Sequence, residues 1–222
     1  MVDILKYAPL LADGALVTVK VSVTSLVIGT GLGVAAAIAA VSNNIWLKRL
    51  VGAYAGIVRS FPELLIIFVL FYGGTVALSR LFGGHVEISA FWAGSAALSI
   101  VFGAYASEIF RGAISSIPRG QFEAAQILGL SKAQLWKSIL LPQVAYRALP
   151  GIGNQWLILL KDSSLVSIVG IEDVMRSAAV AGNATRSPLT FYLVAAAIYL
   201  VITAISVLSI ALLERSVKAR FV

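Results

Sequence analysis

From Leu189 to Leu213 the chain runs 25 residues without a charged side chain. An α-helix needs about 20 such residues to cross a hydrocarbon core about 30 Å thick. Four more stretches share this character. Val21 to Val41 is charge-free and extends outward to Gly14. Leu64 to Ser79 reaches back through Pro62, and Ser89 to Ser107 continues past Glu108. The last, Ala148 to Leu160, stops after 13 residues at Lys161-Asp162 and resumes from Ser163 to Ile171. The pattern predicts an all-α integral membrane protein with five transmembrane helices, at about 14–42, 53–79, 89–111, 144–170 and 188–213, the fourth short or broken. Composition excludes the alternatives. The chain of 222 residues is 59% hydrophobic and 12% charged, where soluble domains are about half apolar and a quarter charged. A soluble fold of this size leaves roughly a third of its chain surface wet and could not hide so much apolar area.

The segment Met1 to Asp13 lacks the basic start of a secretory signal and reads as a short interfacial lead into a retained first helix. No repeat or soluble insertion separates the spans, so residues 1–222 form a single membrane domain. The net charge of +7 allows a nucleic-acid partner or an anionic membrane surface, and its distribution decides for orientation. With the N-terminus outside and the C-terminus inside, eleven of the 17 basic residues fall on the inner side, among them Lys48, Arg49, Arg111, Arg119, Lys132, Arg147, Arg215 and Arg220. The reading is therefore a multi-pass membrane protein, with the bilayer as partner and no nucleic acid.

The inner segment of about 112–143 is longer than a turn requires. Gln121 to Leu128 consists mostly of good helix formers. Gly129 supplies a left-handed helix end, and Ser131 with Gln134 spells a capping box that opens a second helix. Leu141-Pro142 closes that helix or bends it. From spacing alone the unit either lies on headgroups or presents its small-residue face to a partner.

The arrangement Glu123-Ala124-Ala125, Gly129, Ile139 and Leu141-Pro142 fills every fixed position of the pattern EAA-x3-G-x9-I-x-LP. It resembles the EAA motif of permease subunits of ATP-binding-cassette importers. The polar amino-acid branch is resembled over nearly the whole chain, through residues 59–65, 103–112, 148–154 and 160–167. The Q-type subunits of histidine, lysine/arginine/ornithine and opine importers are the nearest in pattern. The resemblance implies a type I importer permease fold with a cytoplasmic coupling helix. Glu123, Ala124, Ala125, Gly129, Leu141 and Pro142 would couple it to a partner ATPase dimer. It further implies a second permease subunit, a heterodimer rather than a homodimer, and an extracytoplasmic amino-acid-binding protein. ATP and magnesium would be used by the ATPase, with no cofactor or metal on this chain.

Ionisable groups at bilayer depth are functional candidates. Arg59 and Glu63, four apart, are expected on one helix face across Pro62, as a mutual ion pair or with Glu63 meeting a cationic substrate. Relatives that carry neutral substrates often have a smaller or apolar residue there, which points to a basic amino acid. Glu108 with Arg111 reads as a structural or gating pair with a possible ligand role. Lys161-Asp162 interrupts the fourth span, where unwound backbone beside Ser163, Ser164 and Ser167 would bind the substrate's shared α-amino and carboxylate groups or gate the path. Glu172, Asp173, Arg176 and Arg186 are expected in an outer loop. His85 is the single histidine and has no ligand companions.

Gly29-Thr30-Gly31-Leu32-Gly33 lacks the last glycine and the βαβ setting of a dinucleotide loop, and Gly29 and Gly33 read instead as a helix-packing face. The chain contains no GxxxxGK[ST] and no HExxH, so it is not read as an enzyme. The expected function is import of a polar, basic amino acid or opine by ATP-driven alternating access. The alternatives are an ion-gradient-driven secondary transporter and a non-transporting membrane assembly protein.

Overall fold

The computed structural model describes residues 4–84 and 88–218, and every regular element in them is helical. His85 and Arg220 lie outside the described residues. Helix α1, Ala8–Val41, carries Pro9 in its first turn, where the missing N–H removes nothing the helix needs. Asn44 caps α2, Ile45–Ser60, by accepting from the N–H groups of Trp46 at 2.9 Å and Leu47 at 3.4 Å. Phe61 and Pro62 are extended, because the residue before a proline is pushed out of the helical region. Helix α3, Glu63–Phe82, then starts afresh and contains a π turn at Val69–Gly73. The span expected at 53–79 is therefore two helices.

Helix α4, Ala90–Ser115, is followed by α5, Arg119–Ile127. Helix α6 occupies residues 132–162 as a helical turn Lys132–Gln134, a π stretch Leu135–Leu140 and an α-helix Leu141–Asp162. The expectation that Leu141-Pro142 closes the helix is not met. The helix does not close there, because the wider π turn absorbs the hydrogen bond that Pro142 cannot donate. Lys161 and Asp162 do not unwind the backbone either, since α6 includes both. The chain goes over to a 3₁₀ helix, Ser163–Val169, and stops at Gly170 with φ +98°. The expected outer loop is largely helix α7, Val174–Thr185, and α8, Pro188–Lys218, completes the chain.

Among the described residues, four helices are long and apolar enough to span a membrane: Leu5–Val41, Glu63–Phe82, Ala90–Ser115 and Pro188–Lys218. The remaining expected span, at 144–170, is α6 prolonged by the 3₁₀ helix. Helix α4 is the axis of the bundle, with 67% of its apolar window buried against 6% for α3 and α8. Helix α1 lies parallel to it, as Ser25 meets Ser95, Gly29 meets Phe102 and Gly33 meets Ala106 in step. A Cβ on Gly33 would stand 2.5 Å from the Ala106 Cβ, so the small-residue face read from sequence is a close crossing. Helix α6 runs antiparallel to α4. Leu140 to Ala148 pack near Ala113 and Ile117, and Leu159 packs near Leu98 and Phe102. Apolar clusters stack along the bundle. Leu11, Val174, Ala178 and Phe191 form one at the α7 end, Val21, Ile67, Phe102 and Val166 one in the middle, and Ala113, Leu140 and Val144 one at the α5 end.

Candidate functional site

At the α5 end the backbone follows the sequence pattern closely. Helix α5 ends in paired reverse bonds, Gly129 N–H to the Gln126 carbonyl and Leu130 N–H to that of Ala125, both at 3.0 Å. They require the left-handed φ of +66° that Gly129 adopts. Ser131 opens α6 with both arms of the capping box present. Gln143 Nε2 donates to Gln121 Oε1 at 2.9 Å, pinning α5 to α6, and Arg147 Nη1 donates to the Ser116 carbonyl at 3.2 Å, pinning α6 to the end of α4. Only one face of α5 is used in this way. Ala125 is buried and Phe122 packs on the cluster beside it. Glu123 and Ala124 are exposed, Ile127 is 86% and Leu128 73% exposed, and no atom lies within 4 Å of a Cβ at Gly129. Leu141 is exposed, and Pro142 lines a groove with Ser138, Ile139 and Gln143.

Further up the bundle the charges are sorted differently from the sequence expectation. Arg59 ends α2 and Glu63 begins α3, so the break at Phe61-Pro62 removes the shared face. Arg59 Nε folds back onto the Ala55 carbonyl at 2.9 Å and lies near Glu108. Glu108 pairs with Arg111 at 2.6 Å, the only ion pair among the described residues. Glu63 sits in the first turn of α3, where the helix dipole favours an anion. It lies near enough to Asp162 for the two carboxylates to repel. The charge of Glu63 thus acts on Asp162 and that of Arg59 on Glu108, neither as a direct contact.

The serines after Asp162 serve their own backbone. Ser163 Oγ donates to the Leu160 carbonyl at 2.8 Å, Ser164 to Lys161 at 2.7 Å and Ser167 to Ser164 at 2.8 Å. Such i−3 bonds suit a 3₁₀ helix. Among the described residues no three His, Cys, Asp or Glu side chains converge into a metal-ligand set.

Sequence reasoning missed the polar joint around Asp173. Asp173 is fully buried and caps α7, its Oδ1 accepting from Arg176 N–H at 2.9 Å. Its Oδ2 and the buried Ser177 Oγ have no hydrogen-bond partner. Thr18 Oγ1 on α1 accepts from Val174 N–H at 3.2 Å, and the Tyr199 hydroxyl on α8 faces Thr18, Ser163 and Asp173. Gly14 lets α7 lie this close, since a Cβ there would stand 2.5 Å from Ser177 Oγ and 2.8 Å from the Asp173 carbonyl. The available signal was an Asp at the N-cap position four residues before the small run Ser177-Ala178-Ala179.

This fold, with a short helical elbow between two spans, is that of a transporter permease. Residues 29–219 match the family model described as binding-protein-dependent transport system inner membrane component. The chain belongs to that family. Over 208 residues it is 39% identical to the arginine ABC transporter permease protein ArtQ of Haemophilus influenzae, covering 94% of this chain and 93% of the relative. It is 42% identical over 203 residues to the nopaline transport system permease protein NocQ of Agrobacterium fabrum, with 88% and 86% covered. It is 35% identical over 213 residues to the histidine/lysine/arginine/ornithine permease HisQ of Escherichia coli, with 94% and 93% covered. A crystal structure of an amino acid ABC transporter with histidines superposes with a TM-score of 0.84 at 32% identity, covering 96% of each chain. The MetNI methionine transporter shares the fold, with a TM-score of 0.77 at 17% identity over 98% of this chain and 99% of that one.

Proposed function

We propose that the chain is the permease subunit of an ATP-binding-cassette importer that moves a basic amino acid, or an opine built on one, into the cytoplasm. The observation that carries the reading is the α5 unit. It is braced on one face, open on the Glu123, Ala124, Ile127 and Leu128 side, and turned at Gly129. An ATPase dimer that takes up this open edge converts its own closure into movement of α4 and α6, which flank the unit. ATP and magnesium belong to that partner. A second permease, similar but distinct, completes the pathway, and an extracytoplasmic binding protein delivers substrate at the α7 end. The N-terminus then lies outside and α5 in the cytoplasm, in line with the basic residues near the α5 end.

The paired carboxylates support a cationic substrate. Glu63 and Asp162 stand near each other and neither has an ion-pair partner among the described residues. A passing guanidinium or ammonium relieves their repulsion, and the exposed pair Glu108–Arg111 with Arg59 beside it marks the way out toward the α5 end. The test is uptake of labelled arginine, lysine, histidine, ornithine and leucine by proteoliposomes holding the whole importer. ATP-dependent accumulation of basic substrates only is expected. Uptake without ATP, collapsed by an uncoupler, sinks the reading.

A further inference from the structure

Two cavities adjoin between the α5 end of α6 and the last turns of α8. One, of about 250 Å³, is lined by Tyr146, Arg147, Leu149, Pro150, Glu214 and Lys218. The other, of about 240 Å³, begins at the same Pro150 and Glu214 and continues past Gly153, Leu157, Val207 and Ile210. Sharing two residues, they make one groove along the seam of the two helices. Gly153 brings the helices together at its floor, since a Cβ there would stand 2.8 Å from Ile210 Cγ2. Val207 and Lys218 stand ~16 Å apart along α8 at 1.5 Å per residue. That is about the depth of one leaflet, half of a hydrocarbon core about 30 Å thick.

The chemistry of the groove changes along this length. Between Gly153 and Ile210 its walls are aliphatic apart from Asn154. At the end of the bundle it meets two cations and one anion, Arg147, Lys218 and Glu214. None of them is in an ion pair, because the only one among the described residues joins Glu108 and Arg111. Arg147 Nη1 donates to the Ser116 carbonyl at 3.2 Å and to Ser116 Oγ at 3.1 Å, which fixes the guanidinium in place. Glu214 and Lys218 are one turn apart and share a face of α8.

We propose that this groove holds a phospholipid with a primary ammonium headgroup, a phosphatidylethanolamine. Its phosphate lies between Arg147 and Lys218, its ammonium meets Glu214, and one acyl chain follows the seam past Gly153 toward Leu157 and Val207. Charge complementarity selects this occupant. Two cations beside one carboxylate match a phosphate beside an ammonium. A glycerol headgroup offers Glu214 no cation, and the quaternary ammonium of choline has no N–H to donate to it. Basic pockets between spans at the cytoplasmic face are places where lipid headgroups bind, and the α5 end is that face in the orientation proposed above. A second protein chain covering the groove would have to take all three charges out of water, at a cost of several kcal/mol per ion. A headgroup pairs them and leaves them at the wet boundary of the bilayer. The inference goes beyond the importer reading and does not depend on which substrate is carried.

The experiment places the assembled importer in nanodiscs of equal parts phosphatidylethanolamine, phosphatidylglycerol and phosphatidylcholine with identical acyl chains. Native mass spectrometry then identifies the lipids that stay bound on release. Wild type is expected to retain phosphatidylethanolamine about fivefold or more over each of the others, within what a hydrogen bond to a charged group supplies. Glu214→Gln should bring phosphatidylethanolamine and phosphatidylcholine within about twofold. Lys218→Gln should lower retention of all three, as each carries the phosphate. Ala211→Phe fills the aliphatic part of the groove without altering a charge and should release every class, which tests the site even where Glu214→Gln fails to assemble. Equal retention of the three lipids by wild type, or a preference for phosphatidylglycerol, overturns the proposal. So does an unchanged lipid profile in Glu214→Gln or in Ala211→Phe. If Ala211→Phe separates the permease chains while the lipid profile stays that of wild type, the groove is a contact between permeases and the proposal falls. ATP-driven uptake tests the importer reading separately and is not decided by any of these outcomes.

Discussion

The two ends of the bundle are built to opposite standards of completeness. At the α7 end, Asp173, Ser177, Thr18 and Phe191 are buried, and Gly14 allows a contact that a single methyl would block. At the α5 end the turn geometry is fully specified, with reverse bonds, a capping box and side-chain braces. Yet Ile127, Leu128 and Gly129 stand open. Packing at one end is satisfied within the chain. At the other, local hydrogen bonds fix a shape whose packing is left for something else. Leu and Ile on a helix closed by paired reverse bonds at Gly129 are held exposed by that turn and not by fraying.

Substitutions at matched glycines test the contrast. The largest stability loss is expected for Gly14→Leu, whose side chain would meet the backbone of Asp173 and have no room to relax. A loss of about 3 kcal/mol or more, read as a lowered Tm in detergent, is expected from such overpacking. Gly129→Trp should instead leave insertion intact and cost only about 1–2 kcal/mol of backbone strain, while ATP-coupled uptake disappears. If Gly129→Trp melts like Gly14→Leu, the α5 end is a packed core and the contrast fails.

Smaller effects grade the two ends further. Asp173→Ala removes the α7 cap and strands the Arg176 N–H, for about 2 kcal/mol, and Asp173→Asn should recover most of it in the same melt. Ser131→Ala should cost about 1 kcal/mol, with faster amide hydrogen exchange confined to residues 131–135. Glu108→Gln, at a part-exposed pair, should change Tm by less than about 1 kcal/mol's worth. A larger drop would make that pair a structural fastener.

What could be read from sequence follows the same division. The α5 unit was legible residue by residue because Gly129, Ser131 and Gln134 act on backbone groups within a few positions of themselves. The Gly29 and Gly33 seam was legible because small residues four apart share a helix face. Charges misled where helix continuity was at stake. Lys161 and Asp162 interrupt hydropathy, but the α6 backbone closes its own hydrogen bonds regardless of which side chains point into a cavity. A helix continuous across Pro62 would put Arg59 and Glu63 on one face, and the extended Phe61-Pro62 pair separates them. Asp173 was legible only as a charged loop residue, since its burial depends on Gly14, Thr18 and Tyr199, which are distant in the chain.

The π stretch at Leu135–Leu140 sets an angular register. Deleting one residue there would restore ordinary α winding, and all that precedes it would turn by about 100° relative to Leu141–Asp162. The Ser131 cap, the Gly129 bend and the open edge of α5 would rotate together, each locally intact. The direction in which the chain offers that edge is therefore tuned by a single inserted residue, independently of the residues that make it attractive to a partner.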